Sequence, residues 1–208
     1  PHSRAGLGRG GGWGGAAQPG WWRQLAKTAG WPPDWRAGEY LLCRQGQGRV
    51  QDLPGTGADG LDGARRAAKD GEKREGDGKT PSGTFKITSI FGKSDNGFDK
   101  MGFIKTYPDL YCIDDVKSEN YNKIADKNLI KKDFDSFEFM YRADDLYDIG
   151  AVIGYNESGE KGLGSCIFLH VKSKDNKPTA GCVAMEKIEL DTLLKRLDSS
   201  KNPIIIIR

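Results

Sequence analysis

The chain has 208 residues, 29 of them Gly, with 37% hydrophobic and 29% charged residues and a formal net charge of +3. That length suits one full domain with an appendage, or two very small domains. No run reaches the roughly 18 to 20 consecutive apolar residues of a membrane span, so no transmembrane segment is expected.

The averages conceal a break in composition. Residues 1–66 hold 16 of the glycines, all five tryptophans (Trp13, Trp21, Trp22, Trp31, Trp35) and eight of the twelve arginines, with a net charge of +4. Residues 67–208 carry 19 lysines, no tryptophan and a net charge of −1. The basic character therefore belongs to the leader. The remainder lacks the field that holds a nucleic-acid backbone, and no nucleic-acid partner is expected.

As far as Gly38, Gly and Pro interrupt the chain every few residues and no apolar period lasts two helical turns. Residues 1–38 read as a flexible arm, a linker or a segment of irregular origin. The sharper reading is that Arg interleaved with Trp stacks on single strands or sits at a membrane interface. Pro1 in place of Met is expected of a processed chain or a fragment, and no signal-peptide pattern marks an export route.

Domain grammar begins at residue 39. Glu39 to Arg44 suits an opening strand, and Pro54 to Gly78 a long exposed loop. Thr84 to Phe91 alternates at period two, with Phe85 and Ile87 on one face, and predicts a half-buried strand. Between Gly92 and Lys132 scattered aromatics without a period predict a loop-rich insertion over a core. Asp148 to Asn156 and Gly164 to Val171 return to strand character. Ile188, Leu190, Leu193, Leu194 and Leu197 form a helical stripe, and Pro203 to Ile207 is a short β-branched run expected to be a buried closing strand. Strands outnumber helices, so the fold is expected to be mainly β (α+β) with one or two packed helices.

Chemistry concentrates in Gly164 to Val171 and in Pro178 to Met185. A cysteine is a nucleophile as thiolate, and a neighbouring imidazole can take its proton. His170 and Cys182 lie twelve positions apart across a polar turn between two apparent strands, a hairpin-like path that could bring them within hydrogen-bond reach. Each also has a structural reading, a satisfied histidine at a strand end and an inert buried thiol. Cys166 and His170 are four apart, on one face of the expected strand, so Cys166, His170 and Cys182 could instead ligate zinc in a structural domain. Three ligands and no CxxC pair argue against that. An oxidising compartment would allow a Cys166–Cys182 disulfide that silences the nucleophile. Asp114-Asp115 and Asp144-Asp145 read as solvated loop charges, and Gly76-Asp77-Gly78-Lys79-Thr80 lacks the spacing of a phosphate-binding loop.

Lys73-Arg74-Glu75-Gly76-Asp77-Gly78-Lys79-Thr80-Pro81-Ser82-Gly83-Thr84-Phe85, Tyr111-Cys112-Ile113-Asp114-Asp115, Gly154-Tyr155-Asn156, Gly164 to His170 and Pro178 to Met185 occur in the order seen in YkuD-like (ErfK/YbiS/YkuD) L,D-transpeptidases. The chain resembles that catalytic domain most clearly over residues 73–207. The resemblance implies an L,D-transpeptidase-like β-sandwich over residues 39–208, in the cell envelope, periplasmic or extracellular, that needs no metal or other cofactor.

The resemblance also implies that Cys182 attacks a peptidoglycan stem peptide and that His170 serves as base and then acid. The thioester passes to an amine, or to water in an L,D-carboxypeptidase. Thr179 matches a Ser/Thr position that holds the turn and the imidazole, and backbone N–H groups near Gly181 and Cys182 would receive the oxyanion. Gly181 suits close backbone approach to the substrate or a positive φ. Three departures stand out, one of them a separation from His170 to Thr179 that is shorter than in the common pattern. Ala180 occupies the position of a motif histidine, where its carbonyl alone could orient the imidazole, and Ala184 occupies that of an Arg or Asn, which leaves the donor carboxylate without an assigned partner. A non-catalytic cell-wall peptide-binding domain with the same fold is the competing reading.

Overall fold

The computed structural model describes residues 67–69 and 71–208 in full and, before them, the backbone of four short strands. The arm assigned to residues 1–38 lies outside the described residues.

In chain order the strands are β1 (Tyr40–Arg44), β2 (Arg49–Gln51), β3 (Ala58–Asp59), β4 (Asp62–Gly63), β5 (Ala67–Ala68), β6 (Thr80–Pro81), β7 (Gly83–Gly92) and β8 (Phe103–Lys105). They continue with β9 (Leu110–Ile113), β10 (Ile124–Asp126), β11 (Phe137–Phe139), β12 (Ile149–Ile153), β13 (Phe168–Val171) and β14 (Val183–Met185). Helix α1 (Lys187–Leu194), a 3₁₀ turn (Ser199–Lys201) and β15 (Ile204–Ile207) follow.

The main sheet runs β3-β2-β1-β15-β7-β12-β13-β14-β4, with β8 beside β7, and a second sheet runs β10-β9-β11. The architecture is thus mainly β, as expected. The expected opening strand is β1, paired in parallel with β15. β15 lies between β1 and β7 but alternates, with Ile205 and Ile207 buried and Ile204 and Ile206 half-buried.

β7 begins with the expected alternation and ends fully buried. Ile87 pairs with Ile153 and Ser89 with Val152, a register shift that lets Ile87 and Ile90, three apart, both enter the same core. On that face Leu169, Val171, Val183 and Met185 pack with Leu190, Leu193 and Leu194 of α1. Burying each such leucine contributes roughly 1.5–3 kcal/mol. Ile188 is 82% exposed, because it lies two residues from Leu190 and so on the far side of the helix.

The opposite face of the main sheet carries Phe91, Phe168 and Cys182, covered by Leu110 and Cys112 of the second sheet. That second sheet corrects the expectation of a loop-rich insertion. Its strands have three or four residues each, too few for alternation to register in sequence. Pairing of Glu138 with Cys112 turns both toward the main sheet. Phe137 and Phe139 take the other face, where both pack against Tyr111.

The expected exposed loop at 54–78 is corrected as well. It contains β3, β4 and β5, and Ala68 and Lys73 are buried. Lys73 tolerates burial because its Nζ donates to Asp77 Oδ1 at 2.7 Å and to the Arg74 carbonyl at 2.6 Å. Asp77 also accepts from the Arg74 and Lys79 amides, which closes the turn that leads into β6.

Candidate functional site

β13 and β14 run parallel, with His170 opposite Ala184 and Leu169 opposite Val183. This corrects the hairpin expectation: residues 172–182 form a crossover, as parallel neighbours require. Side chains alternate across a strand, so Phe168 and His170 share one face of β13. Cys182, just before β14, meets Phe168 rather than His170. The Phe168 N–H donates to Cys182 Sγ at 3.3 Å, and the thiol donates to the Cys166 carbonyl at 3.4 Å. The imidazole makes its own bond, from Nδ1 to the Val171 carbonyl at 2.8 Å. A carbonyl only accepts, so Nδ1 carries the proton and Nε2 holds the lone pair.

Cys182 and His170 are thus not hydrogen-bonded to each other, yet both line one pocket of about 800 Å³. Tyr147 connects their surroundings. It is 4% exposed, its ring meets the His170 ring edge-on at 5.3 Å, and its hydroxyl donates to Glu138 Oε2. The guanidinium of Arg142 lies 5.3 Å from the centre of the same ring. Glu138, Arg142 and Tyr147 all line the pocket.

Burial dominates the electrostatics. It pushes the Cys182 thiol far above its ordinary value, with the Glu138 carboxylate adding to the shift and the Phe168 amide and Tyr147 hydroxyl opposing it. Burial lowers His170 to about 4, against the Val171 hydrogen bond, which favours the charged form. Thiol and imidazole are therefore both neutral near pH 7. Glu138 is raised by burial, and the nearby Asp114 and Glu75 carboxylates push the same way.

Cys166 does not lie on the strand with His170. It precedes β13 at φ 52° and is disulfide-bonded to Cys112. The alternative Cys166–Cys182 disulfide is overturned: Cys182 is a buried free thiol. The zinc triad falls with it, since one ligand is oxidised, and no group of three His, Cys, Asp or Glu among the described residues could hold a metal. The wall before β13 is irregular because Cys166 N–H donates to Asn122 Oδ1 at 2.9 Å and Ser165 Oγ to Glu75 Oε2 at 2.6 Å.

The remaining expected residues divide. Thr179 holds the turn, its hydroxyl donating to the Cys182 carbonyl at 2.6 Å, but makes no bond to the imidazole. The carbonyl that orients His170 belongs to Val171, not to Ala180, which lies exposed at the pocket edge. Gly181 has φ 148°, and an added Cβ would stand 2.9 Å from the Lys79 carbonyl oxygen, so its close approach is to backbone of this chain. The 73–80 string is more than a turn, since Lys73, Glu75 and Gly76 line the pocket.

The acidic pairs are not simply solvated. Asp115 is buried and accepts from the Lys117 and Asp135 amides, Asp114 lines the pocket, and Asp144 is paired with Arg142. Sequence reasoning missed Glu138, Arg142 and Tyr147, which stand in no motif. The one hint was a glutamate alternating between Phe137 and Phe139.

Among the described residues no helix is long and apolar enough to cross a membrane. Comparison with curated proteins and with solved structures finds no match. The family model of the YkuD L,D-transpeptidase catalytic domain matches residues 37–206, most of the chain and all of the pocket lining. The chain belongs to the YkuD family of L,D-transpeptidase catalytic domains.

Proposed function

We propose that the pocket performs acyl transfer on peptidoglycan stem peptides through a thioester on Cys182. The observation that carries this reading is that the free thiol among the described residues and a histidine with an available Nε2 line the same pocket. Cys182 Sγ attacks a peptide carbonyl, and its proton goes to His170 Nε2. The imidazolium then protonates the nitrogen of the departing amino acid as the C–N bond breaks. An incoming amine attacks the thioester and loses a proton to the imidazole; the C–S bond breaks, the imidazolium returns that proton to Cys182 Sγ, and the cross-linked product leaves. With water in its place the product is a trimmed peptide.

Both groups rest in the neutral state, so the proton moves as the carbonyl arrives rather than in a preformed ion pair. The Phe168 amide already donates to the sulfur and offsets part of the cost of its negative charge. Backbone N–H groups at Gly181 and Cys182 remain the candidate oxyanion donors. The Gly181 amide makes only a long bond of 3.4 Å to Thr179 Oγ1, a weak competitor for an incoming anion. The Cys112–Cys166 disulfide supports an oxidising, extracytoplasmic location.

The test is mass spectrometry after incubation with a stem tetrapeptide or a carbapenem. An adduct on Cys182 that is absent from Cys182→Ala supports the thiol mechanism. With a defined pair of stem peptides, a cross-linked dimer identifies a transpeptidase and a trimmed tripeptide a carboxypeptidase. One observation favours the second reading, a non-catalytic peptide-binding domain: the buried thiol and the imidazole are not hydrogen-bonded to each other. Unchanged peptide and unmodified Cys182 would select it.

A further inference from the structure

We propose that Arg142 takes the C-terminal carboxylate of the donor peptide, and so determines which peptides the pocket accepts. The inference rests on the acyl-transfer reading and adds a residue that no motif supplies. Ala184, directly opposite His170 in register, offers no charge. The cations that line the pocket are Lys73, Arg142, Lys174 and Lys177. Lys73 is 4% exposed and committed to Asp77 and the Arg74 carbonyl. Lys174 and Lys177 are 87% and 74% exposed and pair with Asp145 and Asp175 on the outer loops. Arg142 stands apart from these, held against Tyr147, whose ring in turn contacts His170.

Its guanidinium is half used. Nε donates to Asp144 Oδ1 at 2.9 Å and Nη2 to Asp144 Oδ2, so Asp144 occupies the side edge of the fork. Asp144 is fixed in turn by the Leu146 amide. The end edge, made of Nη1 and the second Nη2 hydrogen, has no partner among the described residues. That edge matches the two oxygens of a carboxylate. Asp144 thereby acts as a positioning residue for the fork.

The placement fits the chemistry. In the departing amino acid the carboxylate lies two bonds from the nitrogen that His170 protonates. A cation one ring beyond the imidazole, and not beside the thiol, is where that carboxylate would fall. Burial is the main cause that lowers His170; beside it the charge of Arg142 opposes protonation and that of Asp144 favours it. A donor carboxylate on the free edge of Arg142 would add to the effect of Asp144 and strengthen the base when it is needed.

The experiment measures binding apart from catalysis. In Cys182→Ala protein, affinities are determined calorimetrically for an N-acylated stem tetrapeptide with a free C-terminal carboxylate and for its C-terminal amide. The carboxylate is expected to bind roughly tenfold to a hundredfold more tightly. Arg142→Gln in the same background is expected to bind both at the affinity of the amide, and Arg142→Lys to retain part of the preference. Circular dichroism checks that each variant is folded. Failure of the parent to discriminate, including by binding neither peptide, or discrimination that survives in Arg142→Gln, overturns the proposal. Acylation of wild-type Cys182 by the same tetrapeptide, read by mass, reports on the acyl-transfer reading separately.

Discussion

The backbone N–H of Phe168 donates to Cys182 Sγ at 3.3 Å, two residues before His170 on β13. The thiol is therefore held by the strand backbone and buried rather than ionised by a contacting imidazole. Burial keeps it protonated well above its ordinary range. Iodoacetamide at pH 7.5 is expected to modify Cys182 about tenfold or more slowly than a free thiol, since the thiolate is the reactive form. Unfolding in guanidinium should restore the ordinary rate, with Cys182→Ala as the control for site.

His170 makes stability depend on acid. Its pKa falls from the usual 6.5 to about 4 on folding. As pH drops the unfolded chain takes up this proton first, so the contribution of the neutral imidazole is complete above pH 6.5 and lost toward pH 4. The loss amounts to at most about 3 kcal/mol. Guanidinium unfolding of wild type and His170→Asn between pH 7.5 and 4.5 should show the steeper acid loss in wild type.

The Cys112–Cys166 bridge closes a loop with a sequence separation of 54 and ties β9 to the wall whose Cys166 carbonyl accepts from Cys182. Loop-closure entropy puts its contribution at about 4 kcal/mol. Cys112→Ala with Cys166→Ala should lower the unfolding midpoint accordingly. The same double variant should also raise the alkylation rate of Cys182, because the wall that buries the thiol loosens.

Gly181 sits at φ 148°, where a Cβ would meet the Lys79 carbonyl oxygen at 2.9 Å. Gly181→Ala is expected to cost roughly 1–3 kcal/mol, through backbone strain and displacement of the turn. Peptide adduct formation on the adjacent Cys182 should fall with it, and intact mass after timed incubation measures that loss.

Tyr147 donates its hydroxyl to Glu138, whose carboxyl burial already raises. Tyr147→Phe removes that donor and leaves a buried acceptor unsatisfied, at a cost of roughly 1–3 kcal/mol. The carboxyl should also shift further upward, so the destabilisation is expected to grow from pH 5 to pH 8. Adding Glu138→Gln to Tyr147→Phe should recover part of the loss in a double-mutant cycle.

Periodicity and motif spacing were enough to place β7, α1, β12 and β15 to within a few residues, because each buries a face along a single run of chain. The Gly-Asp-Gly-Lys-Thr-Pro string and the His170 and Cys182 blocks were likewise enough to name the family. What sequence could not supply depends on contacts between distant segments. The second sheet is built of strands too short to carry a period. The parallel pairing of β13 and β14 puts Cys182 beside Phe168 instead of His170, and register between separate strands leaves no local trace. Cys112 is the partner of Cys166 because β9 crosses the pocket wall, a fact of topology and not of spacing. Glu138, Arg142 and Tyr147 are ordinary residues in the sequence. They line the pocket only because β11 and the chain leading to β12 fold across the face of the main sheet that bears Cys182 and His170, where burial and mutual contact set their chemistry.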